Sequence, residues 1–290
     1  MSKKLIRFDW AMKKMLRHKA NFGILEGLLS ELLLFDVTIV DVLESESNKQ
    51  YEYDKYNRVD ILVKSQNDEL MLIEVQNGSE TDYFQRMLYG VSKLVTEYIK
   101  EGEPYGTIKK IYSVNIVYFS LGQGKDYVYE YKGEFVGLHE KDVLKPTMFQ
   151  KESYKVTEIA NIFPKYYILK VNNFNKVAEN TLDEWIYFLK NSEVKEEFKA
   201  KGLDKVKEKL QYEALSDEDK KMYLRSVENK RIQMSVEYTA KMEAKIEAEQ
   251  ESKIKIAKNM LADKEPNEKI AKYTGLTLEE IETLRKETKE

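Results

Sequence analysis

Residues 58–76, Arg58-Val59-Asp60-Ile61-Leu62-Val63-Lys64-Ser65-Gln66-Asn67-Asp68-Glu69-Leu70-Met71-Leu72-Ile73-Glu74-Val75-Gln76, set two aliphatic runs on either side of the polar loop Ser65–Glu69. Such runs, rich in Ile, Leu and Val and separated by turn-forming residues, predict a β-hairpin. Strand side chains alternate between faces. On the first strand Val59, Ile61 and Val63 share one face, and Arg58, Asp60, Leu62 and Lys64 share the other. On the second, Met71, Ile73 and Val75 lie opposite to Leu70, Leu72, Glu74 and Gln76. Directly paired residues of an antiparallel hairpin point to the same side, so the polar-bearing faces must coincide. Pairing Lys64 with Leu70 satisfies this. It sets Leu62 across from Leu72, Asp60 across from Glu74 and Arg58 across from Gln76.

Opposed positions have Cβ atoms about 4.5–5.5 Å apart, and two carboxylates at that distance repel. A divalent cation removes the objection, because Mg²⁺ is commonly held by one or two carboxylates with waters and a substrate phosphate. Mn²⁺ and Ca²⁺ accept the same hard oxygen donors. Gln76, two residues on and on the same face, would stand beside such an ion. The competing reading leaves Asp60 and Glu74 in solvent on a half-exposed sheet. The flanking Ile-Leu-Val and Met-Leu-Ile runs speak instead for a buried one.

Outward from the hairpin, apolar residues recur at three- and four-residue steps from Asp9 to Leu34, which predicts one or two helices with a break near Asn21–Gly23. Glu80–Gly102 carries a broad apolar stripe and predicts a helix capped by Gly102. Ile111–Phe119 and Lys165–Val171 read as strands, Tyr127–Tyr131 with Glu134–Leu138 as a second hairpin, and Leu182–Asn191 as a helix anchored by Trp185 and Phe188. The alternation points to a mixed α/β fold. After Asn191 the chain turns to Glu, Lys, Ala, Met and Gln and reads as helical. Two domains are therefore expected, residues 1–191 and 192–290. Met234, Tyr238, Met242 and Ile246 step by four, a narrow stripe suited either to packing on the domain or to a homo-oligomer formed through the C-terminal helices.

Composition narrows the chemistry. Lys and Arg number 48 against 51 Asp and Glu, so no global basic field points to nucleic acid, and any such contact must be local. The absence of cysteine excludes disulfides, thiolate-bound zinc and thiol nucleophiles. With only His18 and His139, a His-rich metal cluster is excluded as well. The charged N-terminal stretch and the lack of a long apolar run predict no signal peptide, no membrane association and a cytoplasmic protein.

The hairpin resembles the metal-binding core of the PD-(D/E)xK nuclease superfamily, where an acid on one strand is followed by acid-x-Lys on the next. More closely it resembles the recombination-promoting nuclease and transposase-like family. There, an Arg-x-Asp-Ile/Val strand precedes Ile-Glu-Met/Val-Gln, as in Arg58-Val59-Asp60-Ile61 and Ile73-Glu74-Val75-Gln76. Phe84–Leu94, Gly102-Glu103-Pro104-Tyr105, Leu182–Leu189 and the tail Ile270–Ile281 are similar to that family's later segments. The resemblance implies a restriction-endonuclease-like core, a mixed central sheet flanked by helices, followed by a helical C-terminal extension. It implies a metal-dependent DNA endonuclease with Asp60, Glu74 and Gln76 catalytic and Asp60 and Glu74 on the metal. Val59 replaces the superfamily's Pro, which binds nothing. Gln76 replaces its more usual Lys, so a fixed positive charge beside the scissile phosphate is missing. The alternative function is a nuclease fold that binds DNA or protein without cutting.

Glu26, on the first helix, is placed by the resemblance either as a further metal ligand or as a helix-boundary residue. Gln85, Arg86 and Tyr89 share one turn of the next helix and are candidates for contact with DNA phosphate or with the active site. Arg86 could instead pair with Glu74 and hold the empty site together. Lys93, Lys100, Lys109 and Lys110 are phosphate-contact candidates or solvated lysines. In the tail, Thr277 with Glu280 forms a capping box and Gly275 fits a C-cap, as in a helix-turn-helix. Glu279, Glu280, Glu282 and Glu287 outnumber Arg285, Lys286 and Lys289, which favours helical packing or assembly over reading of DNA.

Overall fold

A computed structural model describes residues 4–43, 58–99 and 101–287. It divides into two compact units, Met1–Lys220 and Lys221–Glu290. The first is built on a six-stranded mixed sheet: β1 (Ile39–Leu43), β2 (Arg58–Ser65), β3 (Leu70–Gln76), β4 (Ile111–Val117), β5 (Val128–Glu130) and β6 (Lys165–Lys170), in the order β1-β2-β3-β4-β6-β5. β3, β4 and β6 run parallel to their neighbours in that series, and β1, β2 and β5 complete the sheet with antiparallel pairings.

The β2–β3 register is the one that face parity requires. Arg58 pairs with Gln76, Asp60 with Glu74, Leu62 with Leu72 and Lys64 with Leu70. Ser65 extends β2, and its backbone N–H donates to Glu69 O at 2.9 Å to close the turn. Every residue of β3 is buried, so the sheet is covered on both faces, as parallel strands demand.

The connection from β3 to the parallel β4 passes through helix α3 (Tyr83–Tyr98). Val91 and Leu94 of α3 pack with Leu62, Leu70, Leu72 and Ile111, so α3 covers the sheet face that carries Asp60 and Glu74. Tyr83 and Met87 pack with Val117 and Leu121 farther along that face. On the opposite face Ile61, Val63, Ile73, Val75, Val114 and Ile116 are buried, and α1 (Phe8–Lys14) packs against β2. α2 (Phe22–Leu33) contacts both α5 (Thr181–Asn191) and α6 (Leu203–Lys209). Phe8 meets Trp185 and Phe188 edge-on at 6.4 and 6.2 Å between ring centroids, an arrangement favoured by the ring quadrupoles. Gly202, at φ +87°, adopts a conformation that side chains avoid, and a Cβ there would meet Gly27 Cα at 2.9 Å. The composition changes after Asn191, but the contacts divide after Lys220, because α6 packs on α2.

Three expectations change. The segment Glu134–Leu138 does not pair with Tyr127–Tyr131. β5 pairs with β6, while Val136 bridges to Val143 in a small turn of its own. Gly102 does not cap α3, which ends at Tyr98; its φ of +83° serves the turn that follows. The break before α2 is longer than expected, since α1 stops at Lys14. A further helix, α4 (Met148–Tyr154), starts at a Thr147–Gln150 capping box that the sequence reading passed over.

The second unit contains most of α7 (Asp217–Ala262), then α8 (Asn267–Thr274) and α9 (Leu278–Glu287). Ala257, Leu261, Ile270, Leu276, Ile281 and Leu284 form its core. Gly275 caps α8 at φ +73°, and Thr277 and Glu280 exchange capping hydrogen bonds at 2.7 and 3.2 Å. Met234, Tyr238, Met242 and Ile246 are exposed on α7. Among the described residues no helix is long and apolar enough to cross a membrane.

Candidate active site

The pleat of β2 and β3 brings Asp60, Glu74 and Gln76 to one sheet face, with exposures of 7%, 2% and 2%. Burying two carboxylates on directly opposed positions is costly unless something compensates their charge. Asn115 of β4 stands beside Glu74 in the parallel register. Its Oδ1 accepts from Tyr83 Oη at 3.2 Å, and its Nδ2 donates to Ser113 Oγ at 2.9 Å and Tyr167 O at 3.1 Å. That part of the floor is satisfied within the protein. Gly90 of α3 passes close above: a Cβ there would lie 3.6 Å from Leu72 and 3.9 Å from Glu74 Oε1.

Gln76 behaves differently from Asn115. Its Nε2 donates to Glu80 Oε1 at 2.8 Å and to Gly78 O at 3.2 Å, whereas its Oε1 is buried and makes no hydrogen bond among the described residues. Glu80 in turn binds the Arg86 guanidinium through both carboxylate oxygens. Burial pulls the Arg86 pKa down, but the Glu80 hydrogen bond and the charges of Glu74 and Glu80 more than offset it, so the guanidinium is held above its ordinary value. Arg86 Nη2 is buried and has no hydrogen-bond partner among the described residues.

The structure thus brings Asp60, Glu74, Gln76 and Arg86 into one neighbourhood. Gln85 and Tyr89 are exposed on α3. Glu26 lies apart: its Oε1 accepts from Ile39 N–H at 2.9 Å, tying α2 to β1. Among the described residues no group of three or more His, Cys, Asp or Glu side chains is placed to hold a metal ion. Lys109 pairs with Asp68, and Lys110 donates to the carbonyls of Asn161 and Phe163. Lys93 is half-buried on α3, and Lys100 lies outside the described residues.

Two features escaped the sequence reading. Glu80, expected at the start of the helix, lies before α3 in the connection from β3. Arg17 Nη2 donates to the Asp60 backbone carbonyl at 2.6 Å. It brings the exposed run Lys13, Lys14, Arg17, His18 and Lys19 to the site strand. The signal for the second was present, since that run puts four Lys or Arg residues and a histidine into seven positions.

The donor set suits a hard divalent cation. Two carboxylates lie on one face, and beside them Gln76 presents a buried oxygen that makes no hydrogen bond among the described residues and can accept from a water. Mg²⁺ typically takes one or two carboxylates from a protein, with waters completing its shell.

Comparison with known proteins agrees with the architecture. The sequence model described as PD-(D/E)XK nuclease family transposase matches residues 6–239. That described as Rpn/YhgA-like nuclease family, C-terminal HTH domain, matches residues 250–286, the region of the Ala257–Leu284 core. The C-terminal helices are therefore a helix-turn-helix domain, despite the acidic surface that favoured simple packing. No curated protein and no solved structure matches the chain. From a mixed sheet with an Asp–Glu pair on its covered face to the 6–239 match, the observations agree: this chain belongs to the PD-(D/E)XK nuclease family of transposases.

Proposed function

We propose that the protein is a divalent-metal-dependent DNA endonuclease that hydrolyses phosphodiester bonds, with Asp60 and Glu74 as metal ligands and Gln76 beside the attacking water. The observation that carries this reading is the buried, directly opposed Asp60–Glu74 pair. A fold concerned only with stability gains nothing from two such acids, whereas a cation site needs them. When bound, Mg²⁺ (or Mn²⁺ or Ca²⁺) supplies a lowered water pKa and neutralises charge on the phosphate. Gln76 Oε1 accepts a hydrogen bond from the water and orients it without taking its proton. In hydrolysis the water oxygen bonds to phosphorus and the bond to the leaving ester oxygen breaks. Of the water's two protons, one is matched by the proton the leaving oxygen takes up from solvent to become a hydroxyl, and the other is released to solvent. Arg86, and the basic run joined to Asp60 through Arg17, supply positive charge for the DNA backbone.

The test is plasmid nicking by the full chain with Mg²⁺. Wild type should nick; Asp60→Ala and Glu74→Ala should not, and equal rates in all three would sink the assignment. A second reading, DNA binding without cleavage, draws on the helix-turn-helix domain. DNA binding unaffected by Mg²⁺, with no cleavage and no Mg²⁺ uptake by calorimetry, would favour it.

A further inference from the structure

The Gln76 amide has only one orientation open to it. Its Nε2 lies 2.8 Å from Glu80 Oε1 and 3.2 Å from Gly78 O, and both partners accept hydrogen bonds without donating them. Turning the amide over would set its oxygen against a carboxylate and a carbonyl. Oε1 is therefore the atom left over, buried and without a hydrogen bond among the described residues. Glu80 also fixes Arg86 through Nη1, leaving buried Nη2 as an unsatisfied donor. Gln76, Glu80 and Arg86 thus form a chain with a spare acceptor at one end and a spare donor at the other, beginning two residues from Glu74. Unsatisfied buried polar atoms are rare and costly, and two of them on one network call for a ligand that supplies both complements. A water approaching a phosphodiester does so: the water donates to an oxygen, and a phosphate oxygen accepts from a guanidinium.

We propose that Glu80 is the positioning residue of this site, holding Gln76 with its carbonyl oxygen toward the attacking water and Arg86 with Nη2 toward a phosphate oxygen. The proposal rests on the hydrolytic reading above. It also accounts for glutamine where the superfamily pattern has lysine. The lysine would supply charge and position from one residue, whereas here the charge comes from Arg86 and the orientation from Gln76. Glutamine could not donate to the phosphate in any case, because both acceptors around Nε2 are already in place.

The experiment uses full-length protein with Glu80→Ala and Glu80→Gln. The first readout needs neither metal nor activity: hydrogen exchange of the Gln76 side-chain amide by NMR, assigned by its loss in Gln76→Ala. In wild type these protons should exchange at least about tenfold more slowly than those of exposed Gln85. Glu80→Ala should abolish the difference, and Glu80→Gln, whose carbonyl still accepts, should keep it. The second readout is nicking with Mg²⁺, where Glu80→Ala should lower kcat by about 10–100-fold, the scale on which supporting residues act. Glu80→Gln should stay within about tenfold of wild type, and KM for DNA should move less than kcat in both. A cleaving wild type whose Gln76 amide exchanges equally with and without Glu80 overturns this proposal alone. A held amide in a wild type that does not cleave overturns the hydrolytic reading, and this role with it.

Discussion

On the β2–β3 face the carboxylates of Asp60 and Glu74 are buried between the sheet and α3. In the helix-turn-helix, Glu279, Glu280, Glu282 and Glu287 of α9 all face solvent around an apolar core of Ala257, Leu261, Ile270, Leu276, Ile281 and Leu284. The two regions are acidic to the eye and opposite in physics. Solvated glutamates keep their hydration, whereas two acids buried side by side lose it and need opposite charge nearby, part of which Arg86 supplies to Glu74. The basic residue of α9 nearest its core is also engaged locally: Arg285 Nη2 donates to Asn267 Oδ1 at 2.7 Å and Glu265 O at 3.2 Å. The helix-turn-helix is held by packing, with these acidic side chains left in solvent.

The largest expected effect separates the two regions by activity. Asp60→Ala or Glu74→Ala should lower Mg²⁺-dependent nicking at least about 10³-fold, the scale of losing a centre that stabilises transition-state charge. Glu282→Ala on α9, the control, should leave the rate per bound DNA unchanged in the same gel assay. Comparable losses in the two places would erase the distinction.

How far this contrast could be read from sequence depends on which physical rule each residue obeys. The Asp60–Glu74 pairing was legible because face parity and a short loop leave one acceptable register. Asn115 was also within reach. In Ile111–Val117 the polar residues Ser113 and Asn115 alternate, which places them on one face, but the run was read only as buried. Glu80 was not legible: the apolar stripe sets it at the start of a helix, but α3 begins only at Tyr83 and the Glu80 carboxylate turns back to Gln76. The mispaired Glu134–Leu138 segment shows the limit of turn signals: Lys132-Gly133 marks a turn but not the partner, and β5 found its partner in β6, distant in sequence. For Glu26 the resemblance offered a metal ligand and its apolar neighbours a helix-boundary residue, and only tertiary contact shows its Oε1 accepting from the Ile39 N–H.

The next effect is on packing. Ile281→Ala removes a fully buried side chain from the helix-turn-helix core, and such changes cost about 2–5 kcal/mol. Hydrogen exchange across residues 257–284 should show the loss there, while amides of β3 and β4 keep their protection. A protected helix-turn-helix in that variant would mean its core is not the apolar cluster described.

Mg²⁺ should sharpen the comparison from the other side. A ligand that binds only the folded state stabilises by about 2.7 kcal/mol at a hundred times its Kd. Thermal melts should therefore show the sheet-bearing unit stabilised by Mg²⁺ in wild type and not in Asp60→Ala. Hydrogen exchange in the helix-turn-helix should be indifferent to the ion in both. A rise that persists in Asp60→Ala would place the ion elsewhere.

The smallest effect comes from a half-buried cation of the same unit. Burial, with the nearby Lys165 charge, pushes the Lys110 ammonium down to about 8, and Glu69 opposes this only in part. The ammonium donates to Asn161 O at 2.7 Å and to Phe163 O, and lies 5.6 Å from the Tyr112 ring centroid. Its pKa is lower folded than unfolded, so between about 8 and the ordinary lysine value of 10.5 the unfolded chain binds more protons. Stability then rises with pH across that window and is flat in this group's contribution below it. Partial exposure to solvent limits the gain to roughly 1 kcal/mol. Lys110→Met should lose the two hydrogen bonds and melt lower at pH 7, yet its stability should climb less than wild type between pH 8 and 10. Urea melts at several pH values, wild type against variant, measure the difference in slope, and parallel curves would show that Lys110 stays protonated throughout.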